Sequence, residues 1–490
     1  MTLLSTLSRA QLRDRIRGCL FGCAVGDAYG VVTEFMTKRT VIDLYGNGPI
    51  AFGLDPGYPV SEDDPQPMVG RNDFTDDTDQ LILLLQSLEQ TRNGKLNPIN
   101  FAQRLLEWYG KGIPEIGTDP GRGLGLTVSR TIHNPMFQSN PHRAAFESWD
   151  SSKRDLASNG AVMRTAVLGI ESFWDEHRVV ENSMAAAKVT HADPRSVVSA
   201  ILSSVLISRL LRGGGVNVAH DETLIWNSRL SSTAYQEELL AYMRRGTSMQ
   251  GKHSLNPPYE PVTSANQFQP KNYGALEKKL LEEKKKAAAS YKAQFDGRNL
   301  SGRNRNRKPV LRPDIGWAGI DNVGEDEAMG SLARSVLADY MFLVQQTDVA
   351  PVSTTGLRVQ DNWATEFQVH CFPQSLDQLD LGNGKKIGYA LKCIGVAYYG
   401  ATRCEDSSPT APEYGGPMGL FRGLMEQVTL EGGDADTNDA VLGSLLGARF
   451  GLEEGIPHAW WAGLQHSKWL DKIFDQYVER ILASYDAQHV

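Results

Sequence analysis

The chain has 490 residues, a formal net charge of −8, and a composition that is 41% hydrophobic and 22% charged, which is ordinary for a globular protein that buries a core. No apolar run reaches the roughly 20 residues of a membrane-spanning helix, and no secretory signal is evident. We therefore expect no membrane association and a cytoplasmic location, with the nucleus as the alternative. The five cysteines form no CxxC pair, which argues against a disulfide framework or a zinc knuckle.

The first helical pattern covers residues 8–32, where apolar residues recur at three- and four-residue spacings. Gly18, Gly22 and Gly26 are four residues apart and line one face of this predicted helix. A helix face without side chains lets another backbone approach closely. We therefore expect tight packing on this face.

Residues 45–72 are rich in glycine, proline and aspartate without periodicity, which predicts a long loop that forms a lid or rim of a site. The segment 75–79 then carries three aspartates and two threonines directly before the apolar block 81–85. The carboxylates cannot be buried without a counter-charge, yet the apolar block must be buried. A divalent cation at a helix start resolves this conflict, and a plain helix cap is the alternative.

Residues 101–109 are predicted to form an amphipathic helix and residues 196–211 a largely buried one. Between them lies a glycine-rich turn, residues 117–127. Such a turn before a helix can cradle phosphate oxygens with backbone N–H groups. Its spacing fits neither a dinucleotide fingerprint nor a Walker loop.

Residues 158–170 begin with small residues and are predicted to enter one continuous helix, which Asn159 would cap. His191 ends a further helical stretch, and a helix C-terminus favours a charged imidazole. From the residues alone, a structural role is the expectation for such a single histidine.

The organisation changes between residues 212 and 348, which we interpret as a partly helical insertion. Within it, residues 278–308 carry eleven Lys or Arg against three acids, a net charge of +8. A solvated appendage is the favoured interpretation. The alternative is an arm that binds nucleic acid or another polyanion.

Helical spacing resumes at residues 331–345 and 387–402. In the second of these stretches Tyr389 and Tyr398 are predicted to face inward. Core packing is favoured for them over stacking on an adenine ring. Few stretches show the alternation typical of strands. The predicted fold class is therefore all-α, a compact multi-helix domain of residues 1–211 and 349–490 with the long insertion between them.

A second acidic segment, residues 431–439, also precedes a helical pattern. Its aspartates, two residues apart, point to one side of an extended approach. Oxygen-only ligands select magnesium, manganese or calcium over zinc or copper. Six candidates are too many for one Mg²⁺, so a pair of ions about 3.5–4 Å apart is expected. The candidate ligands are Thr75, Asp76, Asp77, Asp434, Asp436 and Thr437.

Together with residues 22–30, Glu34, residues 158–164 and Thr190-His191, these acidic segments occur in an order that resembles the ADP-ribosylglycohydrolase family, which includes the dinitrogenase-reductase-activating glycohydrolase and the ADP-ribosyl-acceptor hydrolases. The resemblance implies a helical fold and places Glu34 beside the metals, with Asp76 and Asp77 also catalytic. It implies these substrate-binding residues: Asp119, Gly121, Gly123, Ser158, Asn159, Gly160 and His191.

The function that this resemblance implies is hydrolysis of the bond between ADP-ribose and a protein side chain by two Mg²⁺ or Mn²⁺ ions. An ADP-ribosylated protein would be the substrate and ADP-ribose the product, and a monomer is expected. Arginine is slightly preferred over serine as the acceptor, with O-acetyl-ADP-ribose left open. The alternatives are a binuclear-metal phosphohydrolase, and a non-catalytic ADP-ribose-binding or structural protein.

Overall fold

The computed structural model describes residues 5–46, 48–54, 72–91, 93–215, 232–244, 324–346, 360–404 and 416–489. These residues form α-helices, short 3₁₀ turns and two isolated β-bridges, Ser158 with Tyr389 and Glu325 with Arg403, but no β-strand. The predicted all-α fold class is confirmed. The described residues all belong to one unit made of Met1–Asn256 and Ala318–Val490, whereas the basic stretch 278–308 lies outside them.

The helices have the following bounds in chain order: α1 (Arg9–Gly30), α2 (Lys38–Tyr45), α3 (Asp76–Glu89), α4 (Pro98–Lys111), α5 (Leu126–Ile132), α6 (Pro141–Ser151), α7 (Ala166–Ile170), α8 (Glu176–Thr190), α9 (Pro194–Leu211), α10 (Thr233–Arg244), α11 (Glu327–Tyr340), α12 (Phe342–Gln345), α13 (Gln360–Cys371), α14 (Ala390–Ala401), α15 (Gly416–Glu431), α16 (Ala435–Phe450), α17 (His458–Trp461) and α18 (Ser467–His489).

Helices α1 and α16 pack backbone to backbone through the predicted glycine face. A Cβ atom on Gly22 would clash with the carbonyl of Gly443, and one on Gly26 with the carbonyl of Asp439. The reverse also holds, because a Cβ atom on Gly443 would clash with the carbonyl of Gly22. The expected tight packing is confirmed, and its consequence is that the start of α16 lies beside the end of α1.

Helix α9 is the central buried helix, and every one of its residues is buried. It packs against α7, α8, α14 and α16. Its 18 residues have a mean hydropathy of 1.3, enough by length and composition to cross a membrane. The expectation that no apolar run approaches such a length was therefore wrong. The whole of α9 is buried inside the structure, as expected for a core helix.

The helix predicted over residues 158–170 is two separate elements, a 3₁₀ turn at Asn159–Ala161 and α7. The residues between them turn so that the Arg164 side chain enters the core, where it is fully buried. Asn159 lies inside the 3₁₀ turn, whose N-cap residue is Ser158, so it does not cap the helix, and its amide donates a hydrogen bond to Asp434.

A buried ion cluster holds α8, α9 and α11 together. Glu176 accepts hydrogen bonds from Arg209 (2.7 Å), Arg212 (2.5 Å) and the Tyr340 hydroxyl (2.9 Å). Burial alone would raise the pKa of Glu176, but the charges of Arg209 and Arg212 outweigh it and lower that pKa to about 2.

Replacing the central acid of this cluster should destabilise the protein. Glu176→Gln leaves the buried Arg212 without its ion-pair partner and Arg209 with Asp339 alone, so the free energy of unfolding should fall by about 3–5 kcal/mol. Denaturant unfolding measures the change. Glu237→Gln on α10 is the matched control, because Glu237 is exposed and its replacement should change stability by less than about 0.5 kcal/mol.

The same cluster predicts a pH dependence. The pKa of Glu176 is about 2 in the folded protein, below its value of roughly 4.3 in an unfolded chain. Its contribution to stability is therefore fully present above the unfolded pKa and is lost as the pH falls through about 2. The stability difference between the parent protein and Glu176→Gln should shrink between about pH 4 and pH 2, and a difference that stays constant there would contradict this assignment.

Candidate metal centre

The first acidic segment forms the N-terminus of α3, with Thr75 as its N-cap residue. Asp27 in α1 accepts hydrogen bonds from the backbone N–H groups of Thr75 and Thr78, both 2.9 Å, and from the Thr78 hydroxyl at 2.6 Å. Burial raises the pKa of Asp27 to about 6, although these hydrogen bonds act in the opposite direction. Asp27 therefore ties the start of α3 to α1. Sequence reasoning gave Asp27 no role, and its place beside Gly26 was the available signal.

The second acidic segment forms the start of α16, with Asp434 as the N-cap residue and Asp436 in the first turn. Glu34 is brought to this point by the residue that follows it. The Phe35 N–H donates to the carbonyl of Gly433 (2.6 Å), and Phe35 has the positive φ of 62° that side chains rarely adopt. This backbone link holds Glu34 at the start of α16.

Carboxylates from four separate parts of the chain converge into two overlapping groups. Oxygens of Asp27, Asp77 and Asp436 lie within 4.8 Å of one another, and so do oxygens of Glu34, Asp434 and Asp436. Asp436 belongs to both groups. Five acids thus meet where the ends of α1, α3 and α16 come together.

The electrostatics of this cluster call for a cation. Burial raises the pKa of Asp77, Asp434 and Asp436, and neighbouring carboxylates raise those of Asp77 and Asp436 further. Asp77 Oδ1 and Asp436 Oδ1 are buried and have no hydrogen-bond partner within the described part of the chain. An unpaired buried carboxylate is costly. A hard cation among these oxygens would satisfy both atoms, so the donor set fits a divalent metal ion.

The remaining predicted ligands lie around this cluster. The Thr75 hydroxyl donates to Asp77 at 3.2 Å, and Thr437 makes a side-chain hydrogen bond to Asp77. Asp76 is not a member of the two carboxylate groups, and one of its oxygens accepts a hydrogen bond from Gln80 at 2.8 Å.

The glycine-rich turn lies over the first acidic segment. Arg122 anchors it through two hydrogen bonds to Asp79 (2.9 and 3.0 Å) and one to Asp73 (2.8 Å). Gly123 has a φ of 69°, and a Cβ atom there would clash with Asp76 Oδ1. The turn thus brings a bare backbone against the acidic segment.

Two other residues of this turn were predicted to bind substrate, and the structure places them differently. Asp119 is exposed. Gly121 is buried, has a φ of 57°, and packs against the ring of Tyr109. Both assignments stay predictions.

A second surface beside the acidic cluster contains Ser158, Asn159 and Gly160, and we call it the wall. The Asn159 amide donates to Asp434 Oδ2 at 2.6 Å, which joins this wall directly to the acidic cluster. Gly160 lies against the His191 ring, with 3.1 Å between an added Cβ atom and Cε1. The Ser158 hydroxyl lies 2.8 Å from His191 Nε2.

His191 is neutral in this environment. It is only 1% exposed, and burial, together with the charge of Arg164, lowers its pKa well below the usual range. The expected charged imidazole at a helix C-terminus was therefore wrong, because burial outweighs the helix dipole. The dipole contributes at most about 2 kcal/mol even in favourable geometry, whereas full burial shifts a pKa by several units.

A family model described as ADP-ribosylglycohydrolase matches residues 8–288 and 318–487, which together make up most of the chain. The protein belongs to the ADP-ribosylglycohydrolase family. The resemblance inferred from the ordered motifs is confirmed, and both acidic segments fall within the matched residues.

Individual relatives are distant. ADP-ribosylarginine hydrolase Tri1 of Serratia proteamaculans (strain 568) is 27% identical over 202 residues, which cover 41% of this chain and 48% of that protein. ADP-ribosylhydrolase ARH3 of Gallus gallus is 30% identical over 206 residues, with coverages of 41% and 51%. The ADP-ribosyl-(dinitrogen reductase) glycohydrolase of Rhodospirillum rubrum is 25% identical over 216 residues, with coverages of 43% and 63%.

The chain spans about half the length of the first two of these relatives. Among solved structures, a chain of an ADP-ribosylglycohydrolase-related protein complex aligns with 96% of this chain and 99% of its own length. Its TM-score is 0.46 and its sequence identity is 19%.

The convergence of the two acidic segments predicts how substitutions act on metal binding. Asp434→Asn and Asp436→Asn each replace a charged oxygen by a neutral one, so Mg²⁺ or Mn²⁺ should bind at least roughly tenfold more weakly, as is common even for outer-shell changes. Isothermal titration calorimetry measures the affinity, and the metal-induced rise in melting temperature should fall with it.

Asp119→Asn is the matched control for these variants, because Asp119 is exposed on the glycine-rich turn and outside the carboxylate groups. Its metal affinity should equal that of the parent protein. If both Asp434→Asn and Asp436→Asn bind the metal as tightly as the parent protein, this segment does not form the metal site.

Proposed function

We propose that this protein is a metal-dependent hydrolase that cleaves the glycosidic bond between ADP-ribose and a modified protein side chain. The observation that carries the proposal is that Asp436 joins two carboxylate groups, one with Asp77 and one with Glu34 and Asp434. Two buried oxygens of these acids have no hydrogen-bond partner among the described residues. Family membership supplies the substrate class, and the three relatives described above carry names of enzymes that act on ADP-ribosyl groups.

Two ions are favoured over one. Asp436 belongs to both carboxylate groups, so these acids could hold one cation with Asp77 and a second with Asp434. Thr75 and Thr437 add hydroxyl oxygens near Asp77. We infer Mg²⁺ or Mn²⁺, since every donor is a hard oxygen. When bound, such ions supply Lewis-acid chemistry that orients a diol and lowers the pKa of a water.

Glu34 differs from the other acids in its exposure. It is half-buried at the edge of the cluster, whereas Asp77 and Asp436 are buried. A carboxylate at this edge can reach a water beside the anomeric carbon of the distal ribose and accept its proton. We assign Glu34 as the general base, and Asp76 and Asp77 as the acids that complete the catalytic site from the first segment.

The substrate pocket is assigned to the two surfaces that flank the cluster. The glycine-rich turn with Asp119, Gly121 and Gly123 contributes backbone N–H groups and one carboxylate. The wall contributes the other four predicted residues, which are Ser158, Asn159, Gly160 and His191. Asn159 supports this assignment most directly, because its amide already donates to Asp434 and so stands between the pocket and the acidic cluster.

For the acceptor side chain we propose arginine, with serine as the second candidate. The glycine-rich turn with Asp119 favours arginine, since an exposed carboxylate there suits a guanidinium group. One relative is named an ADP-ribosylarginine hydrolase and another an ADP-ribosylhydrolase, without a named acceptor.

The decisive assay incubates the protein with Mg²⁺ and defined peptides that carry ADP-ribose on arginine or on serine. Release of intact ADP-ribose from the arginine peptide is the expected result. Release of AMP instead would indicate a phosphohydrolase, and release from the serine peptide alone would overturn the arginine assignment. If the protein binds ADP-ribose but hydrolyses neither peptide with Mg²⁺ or Mn²⁺, it is a binding protein and not an enzyme.

Glu34→Gln tests the assigned base. The substitution keeps shape and hydrogen bonding but removes the proton acceptor, so turnover should fall by about 10²–10⁴ while ADP-ribose affinity stays within a few-fold. The control is Glu115→Gln, a change of the same kind at an exposed position. Parent-like turnover in Glu34→Gln would contradict this assignment and would mean that the aspartates activate the water.

A further inference from the structure

An unbroken line of hydrogen bonds runs through the core from the first acidic segment to the wall of the pocket. Five contacts of 2.7–2.8 Å make it up. A sixth, also 2.8 Å, continues from Ser158 to the Thr127 hydroxyl. In order, the side chains in this line are Asp76, Gln80, Arg164, Thr190, His191, Ser158 and Thr127.

Arg164 sets the direction of the line because a guanidinium group only donates hydrogen bonds. It is fully buried, and its hydrogen bonds go to Gln80, the Ala186 carbonyl and Thr190, although the charge of Asp76 also acts on it. Burial lowers its pKa to about 9, so it stays cationic at neutral pH. Its donation to Gln80 Oε1 fixes the orientation of that amide, and the Gln80 NH₂ group must then face Asp76.

On its other side Arg164 donates to the Thr190 hydroxyl oxygen at 2.7 Å. The Thr190 proton must then go elsewhere, and the acceptor within reach is His191 Nδ1 at 2.7 Å. Nδ1 is therefore the unprotonated nitrogen. Since the imidazole is neutral, its single proton lies on Nε2.

The far end of the line requires the same arrangement independently. The Ser158 hydroxyl donates to Thr127 Oγ1, so it has no proton left for His191. The 2.8 Å contact between Ser158 Oγ and His191 Nε2 must therefore be a donation from the histidine.

We propose that Arg164 is a positioning residue that, through Thr190, holds His191 as the neutral tautomer with its proton on Nε2, and so fixes Ser158 and the adjacent Asn159 at the wall of the pocket. Ser158 and His191 have the separation of a nucleophile and its general base, yet in this tautomer His191 cannot take the Ser158 proton. The contact between the two residues is therefore structural and transfers no proton. Through Gln80 the same cation orients Asp76, which couples the pocket wall to the acidic segment.

The tautomer is measured directly by ¹⁵N nuclear magnetic resonance on the full chain with labelled histidine, with His191 assigned by its loss in His191→Gln. We expect one protonated nitrogen, Nε2, and an unprotonated Nδ1 at neutral pH, with and without Mg²⁺. A proton on Nδ1, or a doubly protonated ring, would overturn the proposal. No substrate is present, so this result is independent of whether the proposed hydrolysis occurs.

Thr190→Val keeps the shape of the side chain and removes the hydroxyl that donates to Nδ1. With that donor gone, the ¹⁵N resonance of Nδ1 should shift, while the contact with Ser158 keeps the proton on Nε2. On the proposed function, ADP-ribose should bind about three- to tenfold more weakly, the scale of one hydrogen bond. Thr131→Val is the matched control, because Thr131 is equally buried and bonds to the Thr190 carbonyl but lies outside the line.

Thr131→Val should leave the His191 signals and ADP-ribose affinity unchanged. An Nδ1 resonance that is unchanged in Thr190→Val, or that shifts equally in Thr131→Val, would contradict the role of the hydroxyl. Failure of the parent protein to hydrolyse any ADP-ribosyl peptide would refute the proposed function while leaving the tautomer result in force.

Discussion

The close approach of α1 and α16 is the constraint on which the rest of the structure depends. Because both helices carry glycine where they cross, their backbones meet without intervening side chains. The end of α1, with Asp27 and the nearby Glu34, is thereby placed against Asp434 and Asp436 at the start of α16. A side chain at Gly22 or Gly26 would push the helices apart and separate the carboxylates that form the site.

The acids gathered in this way repel one another, and burial makes that repulsion stronger. Hydrogen bonds from α3 satisfy Asp27, and Asn159 satisfies part of Asp434. Asp77 and Asp436 each keep a buried oxygen without a partner in the described residues. The fold therefore holds several negative charges close together. A bound cation would remove their repulsion, and this gain in free energy would contribute to metal affinity.

Much of this arrangement could be predicted from the sequence, because its signals are local. The spacing of the glycines predicted the close helix packing, and the acids before apolar helices predicted where α3 and α16 begin. The signals that failed depend on tertiary context. The break before α7 accompanies the burial of Arg164, and the neutral state of His191 follows from its enclosure. The hydrogen bonds of Asp27 form only when α3 is packed beside it.

The positive φ of Phe35 is likewise invisible in the sequence, since an aromatic residue is not expected there. It is required because the chain must turn after Glu34 to meet the carbonyl of Gly433. Such a position is typical of functional sites, where local strain is offset by the surrounding structure.

The most direct test of the metal centre is an anomalous difference map from crystals grown with Mn²⁺. We expect strong density enclosed by the oxygens of Asp77, Asp434 and Asp436, with Asp436 contacting each ion if two are bound. A map that shows Mn²⁺ elsewhere on the protein and none among these three carboxylates would contradict it.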